Sequence, residues 1–230
     1  MTTATTARYE DLRPLMSRMT GDEKHSPSAT STLDVVWVLY DRILRVDARF
    51  PDDPARDRFL LSKGHGPMAY YAVLAAQGFF PLDWLDGFGS FDSPLGHHPD
   101  RVLVPGVELG SGSLGHGLPI AAGLALGLRT DRSTAPHVFV LIGDAELDEG
   151  SNHEAIAIAA RFGLDNLTAI VIDNASASHG WPGGIAARFE VEGWAAATVS
   201  GRDHAGLESA LRSRHAGKPN VVIAAVEPKE

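Results

Sequence analysis

The chain has 230 residues, a formal net charge of −9 and no cysteine. That length is enough for one large α/β domain with a full core, and nothing in the composition suggests disorder away from the ends. The acidic balance, without basic blocks or basic helical faces, argues against a nucleic-acid or anionic-membrane surface, and the lack of cysteine excludes disulfides, thiolate nucleophiles and Cys-ligated metal or iron–sulfur sites in these residues.

In chain order, residues 1–20 begin MTTATTARYEDLRP, lack the apolar core of a signal peptide and read as a flexible tail. No apolar run approaches the roughly 18 residues of a membrane span, so a soluble cytoplasmic protein is expected. Residues 21–230 are expected to form a single domain. In DVVWVLYDRIL, Val35, Val38, Leu39 and Ile43 recur at helical spacing, with Thr30 or Ser31 available as the cap. After a polar, Pro-rich loop, the segment LLSKGHG joins a short apolar stretch to a helix PMAYYAVLAAQG, where Pro67 suits the first turn and Gly78 the stop. Residues 81–113 have little periodicity and form a long irregular crossing, a kind of segment that is usually functional inside a compact domain.

From residue 114 onward the pattern becomes regular. A small-residue helix LGHGLPIAAGLALGLR leads to a strand HVFVLIG, a helix EGSNHEAIAIAARFG and a strand TAIVID. A strand AAATVS, a helix HAGLESALRSRH and a strand NVVIAAVE follow. Nearly unbroken apolar strands alternating with helices predict a three-layer α/β/α fold around a mainly parallel sheet.

In such a sheet, successive strands deliver their C-terminal ends to one edge, so Asp144 and Asn174 share a rim. Alone, each reads as ordinary turn chemistry. Together, a carboxylate and an amide oxygen make a poor zinc site but a good partial shell for Mg²⁺, completed by a carbonyl, water and ligand phosphates. Gly143 and Ala145 flank Asp144 with small residues whose N–H groups can approach an anion, and Glu149-Gly150 start the helix behind them. Two Gly-rich turns, SKGHG at 62–66 and GSGSLGHG at 110–117, accompany this rim.

These segments, in this order, resemble the diphosphate-binding, N-terminal part of transketolases. The resemblance covers about residues 25–226 and rests on LLSKGH with YAVLAAQGFFP, HPDRVLVPGVELGSGSLGHGLPIAAGLALG, and GDAELDEGSNHEA with LDNLTAIVIDN. It implies a thiamin-diphosphate-binding fold, thiamin diphosphate with Mg²⁺ or Ca²⁺ as cofactors, and transfer of a two-carbon ketol unit from a ketose, phosphorylated in the usual case, to an aldehyde acceptor. Asp144, Asn174 and the Ser176 carbonyl would hold the metal. His65, Gly143 and Ala145 would meet the diphosphate, and Gly112 and Leu114 the aminopyrimidine side. Glu149 would sit at the subunit contact in a carboxylate relay. His98 and His65 would contact substrate oxygens, and His25 matches a further substrate-side histidine. His116, His153 and His179 read as surface or packing residues, and Tyr70, Tyr71 and Trp84 as core or interface aromatics.

The chain stops at VVIAAVEPKE, before the pyrimidine-binding and C-terminal domains of a full-length transketolase and before a KGKG-type loop. The resemblance therefore implies the small subunit of a split transketolase, working in a heterotetramer with a separately encoded pyrimidine-binding subunit. Two alternatives remain at this point: two-carbon transfer to a lipoyl or carrier-protein thiol, and a non-catalytic regulatory subunit. Ala145 stands where the family usually has Gly, so the turn there must be one that Ala can adopt. Ser178 stands where an apolar residue is common.

Overall fold

The computed structural model describes residues 7–22, 25–129 and 136–228. Five strands form one wholly parallel sheet: β1 (Arg58–Leu61), β2 (Val138–Gly143), β3 (Leu167–Asp173), β4 (Ala195–Ser200) and β5 (Asn220–Ala225), in the order β1-β2-β3-β5-β4. All six residues of β2 are buried, as a central parallel strand covered on both faces requires.

The side-chain alternation of the strands splits the core in two. Phe59, Leu61, Phe139, Leu141, Ile170, Ile172 and Val222 face α2 (Ser26–Val38), α3 (Met68–Ala76) and α7 (His204–Arg212). Leu60, Val138, Val140, Ile142, Val171 and Ile223 face α4 (Gly117–Leu128), α5 (Gly150–Arg161) and α6 (Gly184–Glu190). The sheet is thus the middle of three layers, as expected. In α4, Leu118, Ala121, Ala122 and Ala125 recur at the spacing of one helix face, and their small side chains let the helix lie close to the strands. Tyr70 and Tyr71 are fully enclosed, and Trp84 stacks on Phe80 with ring centroids 5.3 Å apart.

Three features differ from what the sequence suggested or add to it. The 1–20 tail contains a helix, α1 (Tyr9–Met16), held by burying Leu12 in the first core; residues 1–6 lie outside the described residues. The helix that Thr30 or Ser31 was expected to cap begins earlier, at Ser26, with Pro27 in its first turn and His25 at the cap position. Ser31 and Thr32 are interior and buried, and their hydroxyls donate to the carbonyls of Ser28 and Ala29 at 2.8 and 2.9 Å. The third is α6, a short helix in a stretch without helical periodicity, anchored by buried Phe189.

Candidate active site

The register of the sheet sets the rim. Gly143 pairs with Ile172, and the Asp144 amide donates to the Ile172 carbonyl at 3.0 Å, so Asp144 and Asn174 leave neighbouring strands at one edge. At the end of β1 the Ser62 and Lys63 amides both donate to Leu141, bringing the SKGHG turn to the same edge. The chemistry-bearing loops are neighbours because a parallel sheet puts all its strand C-termini on one side.

Asp144 is 1% exposed, and its carboxylate accepts from the Ala145 amide at 2.8 Å, the Ser176 amide at 2.7 Å and the Ser176 hydroxyl at 2.5 Å. Ala175 makes this approach possible: its φ of 54° is the sole left-handed non-glycine conformation among the described residues, and it turns the chain back so that Ser176 meets Asp144. What Ser176 presents to Asp144 is therefore its amide and hydroxyl. Beside them, Asn174 is 5% exposed and its Oδ1 has no hydrogen-bond partner in the structure. A buried acceptor left unpaired costs about 1–3 kcal/mol, which a cation ligated there would offset. Among the described residues no group of three or more His, Asp or Glu could hold a metal, so any ion here takes mixed oxygen ligands: one carboxylate, one amide and backbone.

Ala145 heads a 3₁₀ turn, Ala145–Asp148, with right-handed backbone, so the replacement of Gly by Ala introduces no strain. Its amide and that of Gly143 both face carboxylates here, those of Asp144 and Glu146. Glu149 follows the 3₁₀ turn as the N-terminal boundary residue of α5 and is exposed.

The three histidines converge although they come from separate segments. His25 and His65 stack with centroids 4.6 Å apart and planes 25° from parallel, and His65 lies 6.3 Å from His98. His98 Nδ1 is 2.8 Å from the Gly64 carbonyl. A carbonyl only accepts, so that nitrogen carries a proton, and in the neutral ring Nε2 carries the lone pair. Gly112, at φ 123°, lies under the His98 ring; a Cβ there would come within 3.1 Å of it, so the glycine is required by close approach. His97, the neighbour in sequence, packs instead on Phe88 at 5.3 Å. Leu114 is exposed beside this cluster's Gly-rich turn, and His153 is a packing residue that accepts from Arg188 and donates to the Leu147 carbonyl at 2.8 Å.

Glu146 lies inside the GDAEL motif, yet nothing in the sequence points to a role for it. It is 1% exposed, and its carboxyl group takes the Ser62 hydroxyl in a short hydrogen bond, the Gly115 amide at 3.0 Å and the Gly143 amide at 3.4 Å. Ser62 in turn accepts from the Gly117 amide at 3.1 Å. One side chain therefore ties together the three segments that carry His65, Gly112 with Leu114, and Asp144. Burial pushes the Glu146 carboxyl up from its ordinary value, opposed by those three donors and by nearby Lys63.

Residues 19–226 match the family described as transketolase, thiamine diphosphate binding domain. The chain belongs to this transketolase family. The fold agrees: a transketolase from Leishmania mexicana superposes with a TM-score of 0.76 at 26% identity, over 90% of this chain and 37% of that one. An apulose-4-phosphate transketolase subunit of Actinobacillus succinogenes is 39% identical over 207 residues, covering 87% of this chain and 75% of that protein. A protein of Rhodococcoides fascians named Ferredoxin fas2 is 58% identical over 218 residues, covering 95% of this transketolase-family chain and 72% of its relative. Having no cysteine, this chain has none of the thiolates by which iron–sulfur clusters are held, so that name does not extend to it through these residues. No helix among the described residues is long and apolar enough to cross a membrane.

Proposed function

We propose that this chain is the cofactor-binding subunit of a two-component transketolase, transferring a two-carbon ketol unit from a phosphorylated ketose. The observation that carries the metal half of this reading is the unpaired, buried Asn174 Oδ1 beside Asp144. Asp144, Asn174 and the Ser176 carbonyl would hold Mg²⁺, with Ca²⁺ as the larger alternative, after Ser176 turns its hydroxyl away. Thiamine diphosphate supplies, when bound, the carbanion that breaks and remakes the bond beside a ketose carbonyl. The Gly143 and Ala145 amides and His65 would meet its diphosphate, and Gly112 and Leu114 its aminopyrimidine side.

The histidines of this chain do the proton work. His98, its Nδ1 proton committed to Gly64, offers Nε2 as an acceptor for a substrate hydroxyl, and His65 and His25 lie close enough to share one polyol with it. The partner reading rests on the outer surface of α4 and α5. Ile120, Leu126, Ile158 and Phe162 are all exposed there, next to Leu114 and Glu149. Apolar exposure of that extent on packed helices marks an interaction face. We assign it to the pyrimidine-binding subunit, in a heterotetramer of two copies of each chain, with Glu149 at the contact.

Turnover of ketose phosphates by the purified pair, with thiamine diphosphate and Mg²⁺ added separately, tests this. Calorimetry on the same pair should show Asn174→Ala weakening Mg²⁺-dependent cofactor binding by about 10- to 100-fold. Unchanged binding would remove the metal assignment, and full turnover by His98→Ala would remove that histidine's role.

A further inference from the structure

Asp22 lies outside every motif that points to the cofactor, yet it is 4% exposed and its two carboxylate oxygens serve two imidazoles. Oδ1 makes a short hydrogen bond with His25 Nδ1, and Oδ2 is 3.6 Å from His97 Nδ1. The backbone reinforces the first contact, because the His25 amide donates to the Asp22 carbonyl at 2.9 Å. A buried carboxylate is costly unless it is hydrogen-bonded, and here the bond comes from His25 before α2, while the 88–98 loop sets the His97 ring close by.

A carboxylate has no proton to give, so in this arrangement His25 Nδ1 carries a proton, and in the neutral ring Nε2 carries the lone pair. That is the tautomer His98 reaches through the Gly64 carbonyl. Because His25 is stacked on His65, holding the His25 ring also limits where the His65 ring can lie. We propose that Asp22 is a positioning residue: it fixes His25 with Nε2 as an acceptor for a substrate hydroxyl, and it joins the His25 turn to the His97 loop across the mouth of the site. The catalytic consequence rests on the transketolase reading; the tautomer does not.

The test uses the full chain labelled with ¹⁵N-histidine, and long-range ¹H–¹⁵N correlation to read which ring nitrogen of His25 is protonated. The wild type and Asp22→Asn, whose amide oxygen still accepts, should both show the proton on Nδ1. Asp22→Ala should lose that preference. Assayed with the partner subunit, Asp22→Ala should lower kcat by about 10- to 100-fold at saturating ketose phosphate, with Asp22→Asn recovering most of it at an unchanged melting temperature. Full kcat in a folded Asp22→Ala would overturn the proposal, as would a wild-type His25 protonated on Nε2. If Asp22→Ala does not fold, the wild-type spectrum alone decides. If the pair transfers no ketol unit at all, the function reading fails while the spectrum still judges Asp22.

Discussion

Glu146→Ala should loosen the cofactor rim more than any exposed substitution in it. The variant strands the Gly115 amide and removes the acceptor of the Ser62 hydroxyl, both in a dry setting, while the 3.4 Å contact to Gly143 contributes little. At about 1–3 kcal/mol for each buried donor left without an acceptor, the loss is about 3 kcal/mol. For a domain of this length that lowers Tm by about 10 °C. Glu146→Gln keeps one acceptor oxygen for Ser62 and Gly115 and places its amide against the weak Gly143 contact, so it should cost about 1 kcal/mol. Thermal melts followed by circular dichroism measure both. The clamp also predicts a functional split: in the assembled pair, Glu146→Ala should raise the concentration of thiamine diphosphate needed for half-activity, because three loops lose their common anchor, while Glu146→Gln stays near wild type. Equal melting of the two variants, or an Ala variant as stable as wild type, would refute the clamp.

Burial beside the Arg214 guanidinium pushes His137 down to about 3. Its folded form stays neutral while the unfolded chain takes up a proton below the ordinary histidine value of about 6.5. Stability from this group is therefore full above about pH 6.5 and declines as pH falls toward 3, by on the order of 4 kcal/mol. His137→Gln should flatten that part of a urea-denaturation pH series. Gly117→Ala would set a Cβ on the Ser62 hydroxyl, so despite Ala's better helix propensity it should destabilise by about 2 kcal/mol, and Ser62→Gly should recover part of the loss in the double variant. Ile158→Glu, on the exposed face of α5, should leave the melting of the chain itself nearly unchanged and abolish its co-elution with the partner subunit in size-exclusion chromatography.

The sheet and its rim were legible because apolar runs and strand-end polar residues are local signals. Asp144 and Asn174 needed only the topology of a parallel sheet to become neighbours, and the structure places them so. What escaped was tertiary. The α1 helix reads as polar tail because one docked leucine holds it, and short helices take their stability from packing. The first turn of α2 is hidden in SPSATST, where serine and threonine suggest a cap or a turn until their hydroxyls find carbonyls inside the helix. Glu146 sits in the very stretch that reveals the rim, but an acidic residue after a strand resembles a solvated helix start; only its partners in two distant glycine-rich turns show that it is buried.

The same reasoning explains why the two carboxylates of that stretch differ in what they leave for a ligand. Glu146 is held by donors from three segments of this chain, which gives it a structural part. Asp144 is also held by donors here, but two of its partners, the Ser176 amide and hydroxyl, belong to a loop that reaches it through a left-handed Ala175. A left-handed alanine costs about 1–2 kcal/mol. A loop held by one strained residue can exchange its hydroxyl contact for a cation at modest cost, and Asn174 Oδ1 is already waiting without a partner. Ser176→Ala separates these roles: removing the hydroxyl while keeping the carbonyl should preserve Mg²⁺-dependent cofactor binding, whereas Asn174→Ala should not. Calorimetric titration of both variants in the assembled pair reads the difference, and a Ser176→Ala variant that loses the metal as fully as Asn174→Ala would show that the hydroxyl itself is the ligand.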